Sequence, residues 1–194
     1  KGVQSAGVGV TVKHFPGHGD TATDSHTSLP IVNKTREELY ACDLKPFRDA
    51  MKQGVDMVMT AHIEVPALDD TKIIAPKSGD EIYLPATLSK KILTDIVREE
   101  FGFNGVIVTD ALNMGALTNN FNTSDIVIRA INAGADIPLM PVTTQSTSDI
   151  TNLQNLVNDL KEAVNNGDIP MSRIDEAVTR ILKVKIDRGI YDPD

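Results

Sequence analysis

Alternating and continuous apolar runs divide the chain into four similar units. Val8, Val10 and Val12 alternate with small or polar residues and predict a first strand over 8–13. Pro16, Gly17 and Gly19 break it, and a long loop follows to about Lys34. Thr35 with Glu38 three residues on is a capping-box pattern that opens a helix. Pro46 is expected to interrupt that helix and start a second turn or two, ending at Gly54. The second strand is predicted over 56–61, DMVMTA, with His62 just beyond it. A Pro- and Asp-rich loop over 64–88 leads to a helix capped by Ser89, in which Ile92, Leu93, Ile96 and Val97 share one face and Gly102 marks the stop.

GVIVT over 105–109 is continuously apolar or β-branched, the composition of a parallel strand covered on both faces. It ends on Asp110. A helix follows over 124–133, stopped by Gly134. A fourth strand is expected over 135–140, short or bulged because of Pro138. Two amphipathic helices close the pattern, one over 148–165 before Gly167 and one capped by Ser172 and running to about Arg188 before Gly189.

Strand–helix alternation repeated four times predicts an α/β fold with a parallel sheet. The sheet is either open and doubly wound or part of a (β/α)8 barrel. A full barrel takes eight strands and about 250 residues, so four units amount to half of one. Polar residues close three of the strands: Lys13 and His14, His62, and Asp110. In a barrel those ends converge on one mouth, which favours the barrel.

Composition narrows the partners. The chain has 194 residues, long enough for a sizeable core, and a net charge of −8. That charge argues against nucleic acid or an anionic membrane surface as partner. Trp is absent and aromatics are sparse, so aliphatic side chains are expected to fill the core. One cysteine, Cys42, excludes an internal disulfide and leaves the redox compartment open. No apolar run is long enough to span a bilayer. The opening KGVQSAG reads like the end of a helix, so the chain is expected to be a fragment.

The candidate chemistry lies at the strand ends. Asp110 stands where barrel enzymes keep catalytic groups, and an ionised carboxylate aimed at an electrophilic carbon is a competent nucleophile. The competing reading, less favoured by its position, is an N-cap or turn residue. Asp24 and His26 are two apart in a loop. A carboxylate holding one imidazole nitrogen fixes the tautomer and leaves the other nitrogen for proton transfer, although an Asx-turn in a solvated loop is an equal reading. Lys13 and His14 could bind hydroxyls of a polar substrate. His62 fits a site or a core. A metal on His14 and His18, with Asp24 or His26, is disfavoured, because Pro16, Gly17 and Gly19 deny the helix that H-x3-H spacing needs and no cysteine assists. There is neither a dinucleotide fingerprint nor a P-loop.

KHFPGHG, then DSH, then GVIVTDALNMGAL far downstream, in that order, resembles glycoside hydrolase family 3, in its β-N-acetylglucosaminidase branch. The resemblance extends through MTAHI and the closing IDEAVTRILKVKIDRGIYD. It implies a (β/α)8 barrel of which this chain is the C-terminal half, the last four units, without the N-terminal half or any second domain. It implies retention through a covalent glycosyl-enzyme on Asp110, with His26 as acid/base and Asp24 its dyad partner. Lys13 and His14, and with them His62, fall to substrate binding. The implied substrate is terminal β-linked GlcNAc in muropeptides or chitooligosaccharides, with no cofactor and no metal. Relatives occur in the cytoplasm and at the cell envelope, so the compartment stays open. The half-barrel alone is expected to be weakly active or inactive, and to pair through open sheet edges with its missing half or with a copy of itself. Phosphate as acceptor, or a non-catalytic carbohydrate-binding fragment, are the alternatives.

Overall fold

The computed structural model describes residues 2–18 and 29–191. Among them, three parallel strands form the central sheet in the order β1 (Thr11–Phe15), β2 (Met57–Thr60), β5 (Val106–Thr109). β2 pairs β5 residue for residue, from Met57 opposite Val106 to Thr60 opposite Thr109. β1 pairs β2 with a register shift between Val12 and Phe15, where the Lys13–His14 and Phe15–Pro16 peptides are cis. β1 starts and ends later than its alternation predicts, so Lys13 and His14 lie inside the strand and not beyond it.

The predicted fourth strand contracts to a single parallel bridge between Val108 and Ile137. Thr109 N–H donates to the Ile137 carbonyl, and Leu139 N–H donates to Thr109 Oγ1. A side-chain hydroxyl thus stands in for a ladder partner next to Pro138, which has no N–H to give. The described residues therefore form a parallel α/β sheet of three strands and a bridge.

Helix α1 spans residues 36–52. Its capping box is formed as expected, with Glu38 N–H on Thr35 Oγ1 and Thr35 N–H on Glu38 Oε2. Pro46 does not interrupt it. Residues Leu39–Asp43 widen to i→i+5 hydrogen bonding, after which Leu44–Lys52 continues as α-helix. A proline inside a helix lacks a donor and crowds the carbonyl four residues back, and a widened turn ahead of it relieves both. Helix α2 (Lys91–Glu100) is wound with i→i+5 bonds throughout. Ser89 caps it by accepting from Ile92 N–H, and Asp69 in turn accepts from the Ser89 hydroxyl.

The segment between them is not a plain loop. It holds an antiparallel hairpin, β3 (Lys72–Ile74) and β4 (Glu81–Tyr83), with Lys72 paired to Glu81 across it. After β5 come α3 (Gly115–Thr118), α4 (Thr123–Ala133), α5 (Thr147–Asn166) and α6 (Met171–Asp187). Ser146 caps α5 through a second capping box with Asp149. Ser172 lies within α6, and Pro170 occupies the cap position instead. No helix among the described residues is long and apolar enough to cross a membrane.

β5 is buried on both faces, as its composition requires. Gly105 leads into it, and a Cβ there would collide with the Asp56 carbonyl oxygen, so only glycine allows this approach. Four of the five phenylalanines are buried, contrary to a purely aliphatic core. Phe15 meets Phe47 edge to face at 5.3 Å between centroids.

Two carboxylates brace the end of the sheet away from the site. Asp136 accepts from Arg98, Arg173, Arg180 and Ile107 N–H. Asp56 accepts from Arg188, Gln4 and Val10 N–H.

Candidate active site

β1, β2 and β5 are neighbours and parallel, so their carboxyl ends deliver side chains to one place. Asp110 follows β5 directly. Its own N–H donates to the Thr60 carbonyl, which continues the β2–β5 ladder by one residue. Its Oδ1 accepts from Ala111 N–H at 2.8 Å. Its Oδ2 lies 3.4 Å from His14 Nε2, across β2. The Asp110 side chain keeps 24% of its surface and that of His14 29%, so the pair is reachable from solvent. A cleft of about 590 Å³ opens beside His14, lined by Val12, Lys13, Gly17, His18, Pro46 and Phe47.

Burial lowers the pKa of His14 from its ordinary value, and the neighbouring Asp110 charge works against that. Removing the charge leaves burial unopposed. In Asp110→Asn the titration of His14 is therefore expected to move further down, read from its imidazole resonances by NMR. An unchanged midpoint would show that the two side chains do not interact.

His62 sits one residue past Ala61, at the end of β2, and is only 1% exposed. Nδ1 lies 2.8 Å from Thr87 Oγ1 and Nε2 lies 3.0 Å from the Ala111 carbonyl oxygen. A carbonyl only accepts, so Nε2 carries the proton. Burial lowers the pKa of His62 more than any other influence on it; Nδ1 faces Thr87 Oγ1, whose own hydroxyl proton goes to the Ala61 carbonyl. His62, expected among the substrate-binding residues, is buried with both ring nitrogens against protein groups. Strand-end position marks it in the sequence; its burial does not show there.

Lys13 is exposed beside His14. Asp24 and His26 lie outside the described residues. Among the described residues no three His, Cys, Asp or Glu side chains come together as a metal site. His14 and His18 stand edge to face, with 6.3 Å between ring centroids.

The model of the glycosyl hydrolase family 3 N-terminal domain matches residues 1–184. The chain belongs to glycoside hydrolase family 3. Among family 3 relatives, it is 40% identical over 186 residues to beta-hexosaminidase A of Pseudoalteromonas piscicida, covering 95% of this chain and 31% of that protein. A family 3 beta-N-acetylglucosaminidase from Paenibacillus sp. str. FPU-7 superposes with a TM-score of 0.86 at 40% identity, over all of this chain and 34% of that one. The beta-glucoside phosphorylase BglX superposes with a TM-score of 0.81 at 31% identity, over 97% of this chain and 32% of that one. The chain thus spans about a third of the length of these family 3 proteins.

Proposed function

We propose that this chain is the C-terminal half of a family 3 (β/α)8 barrel. In it lies the catalytic centre of a retaining exo-β-N-acetylglucosaminidase, which removes terminal β-linked GlcNAc from muropeptides or chitooligosaccharides. One observation carries the reading. Asp110 ends a strand buried on both faces, with one carboxylate oxygen held by a backbone N–H and the other turned to His14 at a solvent-reachable mouth.

In the first step an Asp110 oxygen bonds to the anomeric carbon while the bond to the aglycone oxygen breaks. His26, oriented by Asp24, gives the leaving oxygen its proton. In the second step water attacks the same carbon and loses its proton to His26, and the bond to Asp110 breaks. Two inversions retain the β configuration. A neutral or cationic histidine is not repelled by Asp110 as a second carboxylate would be. Lys13 and His14 take sugar hydroxyls. The free edge of β1 is where the remaining barrel strands pair.

The test is intact mass after incubation with a 2-deoxy-2-fluoro or 5-fluoro glycosyl inactivator. The full-length protein is expected to gain one sugar, and Asp110→Asn none. Cleavage of GlcNAc glycosides with no adduct formed would overturn the covalent route. The 194 residues alone are expected to label weakly or not at all, and full labelling would show the other half to be dispensable.

The similarity to BglX favours a second reading, with phosphate as acceptor. A histidine acid/base tolerates an incoming anion better than a carboxylate does. Release of GlcNAc 1-phosphate when phosphate is added would establish it, and free GlcNAc alone would reject it.

A further inference from the structure

The Asp110–Ala111 segment is held from the carboxyl end of β2 at two points. Thr60 accepts from Asp110 N–H at 3.2 Å, and His62 Nε2–H donates to the Ala111 carbonyl at 3.0 Å. Between those points lies the amide that fixes the Asp110 carboxylate, Ala111 N–H on Oδ1. The peptide after it is gripped at both ends, since Leu112 N–H donates to the Leu139 carbonyl. On its far side the His62 ring is anchored by Thr87, whose hydroxyl also lies 2.8 Å from Thr60 Oγ1. This buried chain of contacts starts at the sheet and ends one residue from the proposed nucleophile.

We infer that His62 is a positioning residue for Asp110: through the Ala111 carbonyl it holds the peptide next to the one whose N–H aims the carboxylate, without touching the sugar. The inference rests on the reading of Asp110 as nucleophile. A carboxylate attacking carbon works only over a narrow range of approach, and misplacement by about 1 Å costs roughly 100-fold.

Two amide variants separate this role from packing. Glutamine at 62 places its amide nitrogen near the position of Nε2 and can still donate to Ala111, whereas asparagine reaches only toward Thr87. Both give up part of the buried ring. In the full-length protein, His62→Asn is expected to slow the rate constant of covalent labelling by about 10- to 100-fold, with the binding constant of the inactivator little changed. His62→Gln is expected to recover most of that loss, while both variants lose similar thermal stability. Equal slowing in the two, or a loss confined to the binding constant, would overturn the inference, the latter because it makes His62 a sugar contact.

A readout independent of activity keeps the two readings apart. Wild-type protein is expected to show a scalar coupling across the hydrogen bond from His62 15Nε2 to the Ala111 carbonyl carbon. That carbon is expected to shift in His62→Asn and much less in His62→Gln. Absence of the coupling overturns the inference even if no variant folds. A wild type that shows the coupling but never labels defeats the hydrolase reading, and with it a catalytic purpose for the contact.

Discussion

Turnover of aryl β-N-acetylglucosaminides by the full-length protein is expected to fall at least about 10⁴-fold in Asp110→Ala, and to return in part when azide is added. The first expectation follows from the loss of the group proposed to form the covalent intermediate. Removing a nucleophile forfeits about 5 kcal/mol or more of transition-state stabilisation, far beyond the loss of one hydrogen bond to substrate. The second follows from geometry. The alanine leaves a space at the end of β5 where a small anion fits, with Ala111 N–H and His14 still facing it. Azide attacks the anomeric carbon from that side as the aglycone leaves, so a single inversion gives the α-glycosyl azide. An α-azide identified by NMR would place Asp110 on the α face of the sugar. A β-azide, or a variant retaining more than a tenth of wild-type turnover, would remove Asp110 from the nucleophile's role.

The largest expected effect on stability belongs to Asp136. Asp136→Ala is expected to lower the free energy of unfolding by about 3–5 kcal/mol, measured by urea titration. The carboxylate is fully buried and accepts from three arginines and from Ile107 N–H in β5. Without it, Arg98, about nine-tenths buried, loses its carboxylate, and the equally buried Arg173 keeps only the exposed Glu176. Burial already pushes Arg98 down to about 10, against the pull of Asp136, and the substitution leaves that burial unopposed. Arg180→Ala is the control. It removes the most exposed of the three arginines and is expected to cost about 1 kcal/mol or less. Equal costs for the two would mean that the cluster is held by packing and not by charge.

Periodicity made the frame of this fold legible. The second and third strands, the caps at Thr35 and Ser89, and the glycine stops at Gly102, Gly134 and Gly167 follow from local chemistry and stand where that chemistry puts them, while the first strand is displaced toward its carboxyl end. What escaped depends on partners distant in sequence or leaves no compositional mark. The hairpin strands are three residues each, too short for alternation to register. Widening of α1 and α2 to i→i+5 bonding keeps the same apolar face that an ordinary helix would show. Leu139 N–H turns to Thr109 Oγ1 in place of a ladder carbonyl, and Pro138 has no N–H to give, so the fourth strand dwindles there. At the site, Asp110 and His14 are brought together because strand ends converge. The part played by His62 turns on Thr87, twenty-five residues away in a segment read as loop. The arginines of the Asp136 cluster read as ordinary polar faces of helices, because nothing local ties them to a carboxylate 37 to 44 residues off.

That cluster also governs how the protein opens. Along its seventeen residues α6 buries only Ala177, so little apolar surface keeps it in place. It is fastened instead by Arg173 to the carbonyls of Ile131, Gly134 and Ala135 and to Asp136, and by Arg180 to the same carboxylate. Such contacts are directional and shared. A slip by one helical turn satisfies none of them, and releasing one arginine strands a charge that the others must also abandon. Peeling from the end is therefore disfavoured against detachment in one event, which uncovers the backbone at 135–137 along with the helix. Amide protons of α6 and of the segment leading to Ile137 should then exchange with solvent at a common rate, as a single cooperative unit defined by one buried anion.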